Sequence, residues 1–156
     1  MEDVIQRKNS QGVYILVFEI VHSLLIDIRR FKWLLKPGFY LYFGSALGKT
    51  STSLEKRLAR HFNNQKKIFW HIDYITSQSD VKMINAYYTT KTGITECSAL
   101  QGFEQNFQNT EIILKFGSSD CKTKCGGHLV FLSNNRAVLI DLANYFNLRG
   151  WFLHKD

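Results

Sequence analysis

Apolar residues change their spacing between Gly44 and Leu54, and that change restricts the chain to folds in which a sheet precedes a helix. Gly12 to Val21 is rich in Val, Ile, Tyr and Phe and predicts a strand, with alternating Leu24 to Ile28 as its hairpin partner. Phe39 to Gly44 predicts a third strand, entered through a turn at Pro37-Gly38; these three predict an antiparallel sheet. Leu54, Leu58 and Phe62 then recur at helical spacing, with one buried stripe. Thr52 followed by Glu55 fits a capping box at the helix start. Further on, Ile68 to Thr76 predicts a short helix, Val81 to Thr89 a strand, and Glu96 to Phe107 a helix with Leu100 and Phe103 inward. Ile112 to Phe116 and His128 to Leu132 predict short strands, and Ala137 to Phe146 an amphipathic helix. The order predicts an α/β (α+β) layer fold, a mixed sheet flanked by helices.

The 156 residues fit one domain, 1–156. With 45% hydrophobic and 21% charged residues, the chain is neither disordered nor fibrous. Lys plus Arg exceed Asp plus Glu by 20 − 13 = 7, which favours a polyanionic partner such as nucleic acid, although many basic proteins bind nothing special. Three cysteines, Cys97, Cys121 and Cys125, do not suggest a disulfide framework. Met1 to Lys8 lacks the apolar core of a signal peptide. The most apolar stretch, Val13 to Ile28, is broken by Glu19, His22, Ser23 and Asp27, short of the roughly 20 apolar residues a membrane span needs. These features predict a soluble cytoplasmic protein in a reducing compartment, with no membrane contact.

Four groups of residues offer chemistry. Tyr14 and Tyr42 sit on neighbouring predicted strands, where a phenol can take a proton from water or orient an oxyanion; packing alone also favours tyrosine in strands. In the first helix, Arg57 and His61 are four apart, as are Lys56 and Arg60, which predicts a basic exposed flank that Lys66 and Lys67 extend. Guanidinium groups suit phosphate, but a solvated basic face is the commoner outcome. Glu96, at a helix start, can hold a divalent cation or simply complement the helix dipole. Cys121, Cys125 and His128 could supply three zinc ligands, with Cys97 as a fourth; a glycine-containing turn at Gly126-Gly127 is the preferred reading.

Together these pieces resemble the GIY-YIG nuclease superfamily. Gly12-Val13-Tyr14 resembles its first signature triplet, and Tyr42-Phe43-Gly44 followed by Ser45-Ala46 its second. Arg57 and His61 resemble its catalytic arginine and companion histidine, and Glu96 its metal-binding glutamate. A prokaryotic branch of unknown function, found alone or fused to endonuclease III-like repair proteins, is similar in Gly44 to Gly48, Arg57 to His61, Trp70 to Tyr74, Glu96-Cys97, Phe116 to Cys121 and His128-Leu129. The resemblance covers 12–132, and 133–156 reads as a closing helix and aromatic tail that could cover a dimer surface. Two departures stand out. A longer gap separates Tyr14 from Tyr42 than in typical members, predicting an extra or longer hairpin in Leu24 to Leu35, and the gap from Cys121 to Cys125 is longer than the branch tends to show.

The resemblance implies a largely antiparallel three-stranded core sheet and hydrolysis of DNA phosphodiesters with one Mg²⁺ or Mn²⁺. It implies that Glu96 holds the metal, Tyr14 with Tyr42 orients or deprotonates water, Arg57 neutralises phosphoryl charge, and His61 assists proton transfer or holds a phosphate. Ser45, Lys56, Arg60, Lys66, Lys67 and His71 would contact nucleic acid, with packing beside Trp70, Ile72 and Tyr74 as the alternative for His71. DNA is the expected partner, RNA stays open, and a repair-protein partner fits the fusions. The rivals are a binding module that has lost turnover and a zinc-stabilised interaction domain. Sequence leaves the oligomeric state open.

Overall fold

A computed structural model describes residues 10–48, 53–117 and 125–155. Eight strands and four helices follow one another as β1 (Gly12–Ile20), β2 (Leu24–Ile28), β3 (Phe31–Leu35), β4 (Gly38–Ala46), α1 (Leu54–His61), α2 (Asp73–Thr76), β5 (Val81–Thr89), α3 (Glu96–Glu104), β6 (Glu111–Ile113), β7 (Leu129–Ser133), α4 (Val138–Leu148) and β8 (Phe152–His154). Six strands form one sheet in the order β6-β7-β4-β1-β5-β8, and every pairing in it is antiparallel. The α+β class expected from the sequence is present, with an extended hairpin and added strands around a β4-β1-β5 centre.

The centre follows from the sequence of β1. Its residues Val13 to Phe18 are buried without alternation, which is the signature of a strand covered on both faces and paired on both edges. Tyr14, Leu16 and Phe18 pack with Leu54 and Leu58 of α1, with Ile72 at the N-cap of α2 and with Ile75 inside it. Ile15 and Val17 face the other way, against Leu100 and Phe103 of α3 and Leu142 and Phe146 of α4. The result is three layers, helices on each side of the sheet.

Strand β2 is not the hairpin partner of β1. It pairs with β3 in a separate two-stranded sheet, with Leu24 opposite Leu35 and Ile28 opposite Phe31. The reason lies in burial: β2 alternates buried and exposed residues, so it has one face to cover, and that face joins the first core. The long gap between Tyr14 and Tyr42 is therefore a hairpin, as its length predicts.

The aromatic tail extends the sheet. Phe152 to His154 form β8, which adds to the outer edge of β5, and Phe152 stacks on Tyr88. It covers this chain's own sheet edge. Among the described residues, no helix is long and apolar enough to cross a membrane.

Candidate functional site

Helix α1 sets up the site through its spacing. Leu54, Leu58 and His61 are its buried residues, at i, i+4 and i+7 on one face. His61 is thus fully buried, not on an exposed flank. Thr52, expected to cap this helix, lies outside the described residues; Ser53 is the N-cap and makes no side-chain capping bond. The Glu55 carboxylate instead accepts a bond from the Ser10 backbone N–H at 3.1 Å.

Burial brings His61 to Tyr14. The Tyr14 hydroxyl is 2.8 Å from His61 Nε2. Burial pushes the Tyr14 phenol up to about 12, the nearby Arg57 guanidinium acting against it. Burial also pushes the His61 imidazole down to about 3, and the Lys66 ammonium adds to this. At neutral pH both rings are therefore uncharged, and the geometry fits a Tyr14 O–H donating to a neutral Nε2. Tyr42 is likewise pushed well above the usual phenol range, mainly by burial.

Tyr14 has room only because position 44 lacks a side chain. The two residues are cross-strand partners in β1 and β4, and a Cβ on Gly44 would come within 2.5 Å of the Tyr14 ring. The glycine is needed for space.

Tyr14, Tyr42, Ser45, Arg57, His71 and Glu96 all line one cavity of about 920 Å³. Arg57 is half-buried, donates from Nη1 to the Ser45 carbonyl at 2.7 Å, and its guanidinium lies over the Trp70 ring at 4.2 Å from the centroid. The Ser45 hydroxyl donates to Glu96 Oε1. Glu96 is the first residue of α3, whose start is fixed by a capping box between Thr95 and Ser98. Ser45 thereby joins the arginine to the carboxylate, one through its carbonyl and the other through its hydroxyl. His71 stands 6.0 Å from the Phe116 ring and 6.3 Å from the Trp33 ring, partly buried among aromatics.

The basic residues divide. Lys56 and Lys67 are exposed. Arg60 is drawn inward: its Nη2 pairs with Asp73 Oδ2 at 2.5 Å and also donates to the Lys67 carbonyl. Burial raises the Asp73 carboxyl, but the Trp70 and Phe69 backbone N–H groups and Arg60 outweigh it and hold it below its ordinary value. Lys66 donates to the His61 carbonyl at 2.9 Å, closing the end of α1, and burial pushes its amine down to about 8.

Two residues in this arrangement carried no role in the sequence reading. Trp70 is the platform for both Arg57 and Arg60, the latter 4.9 Å from its ring centroid. Asp73 anchors Arg60. Their only sequence signal is the Trp70-His71-Ile72-Asp73 run, which assigns neither role.

The cysteines depart from expectation too. Cys97, the second residue of α3, is disulfide-bonded to Cys125, with Cα atoms 5.9 Å apart. The count argued against a disulfide framework, yet the fold brings α3 and the approach to β7 within bridging distance. Cys121 and Ser118-Ser119-Asp120 lie outside the described residues.

The model of one protein family, the domain of unknown function DUF123, matches residues 13–150 of the chain. No curated protein and no solved structure matches it.

Proposed function

We propose a function for a chain that belongs to the DUF123 family: it hydrolyses phosphodiester bonds in DNA, using the cavity at the end of β1 and β4. The observation that carries this reading is the convergence of Tyr14, Arg57 and Glu96 on one cavity, linked through Ser45. The resemblance to the GIY-YIG nucleases assigns roles to those same residues.

The donor set fits a hard divalent cation. Glu96 brings one half-buried carboxylate to the cavity, and Asp73 is already committed to Arg60. One carboxylate, with the remaining positions left to water and substrate oxygens, suits Mg²⁺ or Mn²⁺. Bound there, the ion would supply charge neutralisation at the leaving oxygen.

The chain's own groups then act as follows. Tyr14 is protonated at neutral pH and its O–H can donate to His61, which leaves its oxygen as an acceptor beside the cavity. It orients an attacking water by accepting a hydrogen bond from it. His61, neutral at rest, holds the phenol in that orientation. Arg57, kept in place by Ser45 and Trp70, stabilises charge gathering on the phosphoryl oxygens, a contribution of about 2.7–4 kcal/mol for comparable donors. Lys56 and Lys67 hold the DNA backbone from the exposed side of the same region.

The test is nicking of supercoiled plasmid with Mg²⁺ and with Mn²⁺, wild type beside Arg57→Lys and Glu96→Ala, with folding verified by circular dichroism. Nicking by wild type and its loss in both folded variants is the expected result. Equal nicking by all three would remove the cavity from the reaction. Salt-dependent DNA binding without nicking would point to a binding module instead.

A further inference from the structure

We propose that Cys97, Cys125 and His128 form a redox-gated site for one zinc ion, separate from the carboxylate site at Glu96. The two cysteine sulfurs and a ring nitrogen of His128 all lie within 4.8 Å of one another. Cys97 Sγ is 3.5 Å from His128 Nε2. Zinc takes sulfur at about 2.3 Å and imidazole nitrogen at about 2.0–2.1 Å, so two such ligands of a tetrahedral ion stand about 3.5 Å apart. The observed contact is a hydrogen bond with the disulfide in place, and its length is one that two ligands of the same ion would also have. Three different segments deliver the donors: Cys97 from the first turn of α3, Cys125 from the approach to the Gly126-Gly127 turn, and His128 from the residue before β7.

The ligand chemistry selects the ion. Two thiolates and a neutral imidazole are soft and borderline donors, which favour zinc and exclude Mg²⁺. Cys97 is buried, Cys125 is half-buried and His128 is 7% exposed. Cys97 and His128 also line the cavity.

In the disulfide form the two sulfurs bond each other and cannot both ligate. Opening the site takes two electrons. A phosphine reductant attacks one sulfur and breaks the S–S bond. Water then supplies the oxygen of the phosphine oxide and the two protons of the thiols. Zinc binding releases those two protons to solvent, and the metal then ties α3 to the start of β7 as the disulfide did. Because Glu96 immediately precedes Cys97, either tie holds the start of the same helix.

The experiment is a titration of the full chain with Co²⁺ and then Zn²⁺, in the oxidised form and after phosphine reduction, without DNA. Reduced wild type is expected to bind one Co²⁺ with thiolate-to-cobalt absorption of at least two thiolates, and Zn²⁺ to displace it. Cys125→Ser and His128→Gln are expected to weaken Co²⁺ binding at least about tenfold. The oxidised chain is expected to bind none with thiolate absorption. Reduced, folded wild type that takes no stoichiometric Co²⁺ overturns the proposal. So does tight binding by the oxidised chain, or by Cys125→Ser as strongly as by wild type. If His128→Gln unfolds, Cys125→Ser at its half-buried position carries the comparison. The readout is independent of nicking, so the two proposals fail separately.

Discussion

The hydroxyl of Tyr14 and Nε2 of His61 face each other at 2.8 Å, with both side chains closed off from solvent. The pair is uncharged at rest because burial opposes the ionised form of each ring.

That relationship fixes a pH dependence of stability. The imidazole falls from its ordinary 6.5 to about 3, so the unfolded chain binds more protons between those values. The stability that neutral His61 contributes is fully present above about pH 6.5 and is lost progressively as pH falls toward 3. The phenol rises from 10.0 to about 12, so its contribution is present below pH 10 and is lost as pH climbs toward 12. Thermal unfolding of wild type and His61→Gln from pH 7 to 4 checks the acid limb. The wild type should lose several degrees more than the variant, at roughly 2–4 °C per kcal/mol for a chain of this size. Parallel curves would place the imidazole in contact with water.

Removing only the phenolic oxygen separates chemistry from packing. Tyr14→Phe should remain folded and lose nicking by about 10²-fold or more, because water is no longer oriented. Tyr42→Phe should lose less, since among the described residues no side chain is hydrogen-bonded to its hydroxyl as His61 is to that of Tyr14. Single-turnover rates on a nicked-plasmid assay measure both. A larger loss at Tyr42 than at Tyr14 would reverse the assignment.

The contact between Gly44 and Tyr14 can be measured as a coupling. Gly44→Ala places a methyl group where the Tyr14 ring lies and should cost about 1–3 kcal/mol. In a Tyr14→Ala background the same change should cost much less, because the ring is gone. Urea unfolding of the four chains gives the cycle, and additive costs would sink the steric account.

Arg60 and Lys67 should behave in opposite ways. Arg60→Ala leaves the buried Asp73 carboxylate with the Phe69 and Trp70 N–H groups but no cation, so it should destabilise the fold, with about 3–5 kcal/mol as the upper scale for breaking a buried pair. Discounted for the quarter of Arg60 that is exposed, the lower end applies. Lys67→Ala should leave stability unchanged and lower the salt dependence of DNA affinity by about 0.9 in slope. Denaturant melts and salt-titrated binding on each variant separate the roles.

Glu96→Gln should abolish metal-stimulated nicking while DNA binding persists, since the amide still accepts from Ser45 but holds a cation poorly. Retained stimulation by Mg²⁺ would move the metal elsewhere.

Much of this arrangement was legible in the sequence, for identifiable reasons. The unbroken apolar run of β1 marked a strand, and the four-residue spacing in α1 marked a helix, because both patterns are local. Tyr14, Arg57 and Glu96 could be named from their motifs, and they do share a cavity. Pairing was not legible. β2 follows β1 after a short turn, so a hairpin between them was the natural expectation, yet both edges of β1 are taken by β4 and β5 from far along the chain. The inward turn of His61 was missed for a different reason. The stripe of Leu54, Leu58 and Phe62 does pack on the core, Phe62 half-buried, but His61, three residues after Leu58, shares that face and is more deeply buried. The recruitment of Arg60 by Asp73 depends on a contact across thirteen positions that no periodic pattern encodes.

The steric pairing of β1 with β4 also constrains descent. A chain with this fold that gains a side chain at position 44 while the ring at position 14 remains carries the cost of the clash, and losing the ring first avoids that cost. A residue larger than glycine at position 44 would therefore mark a chain whose ring at position 14 has moved or gone, whereas glycine there fits either case.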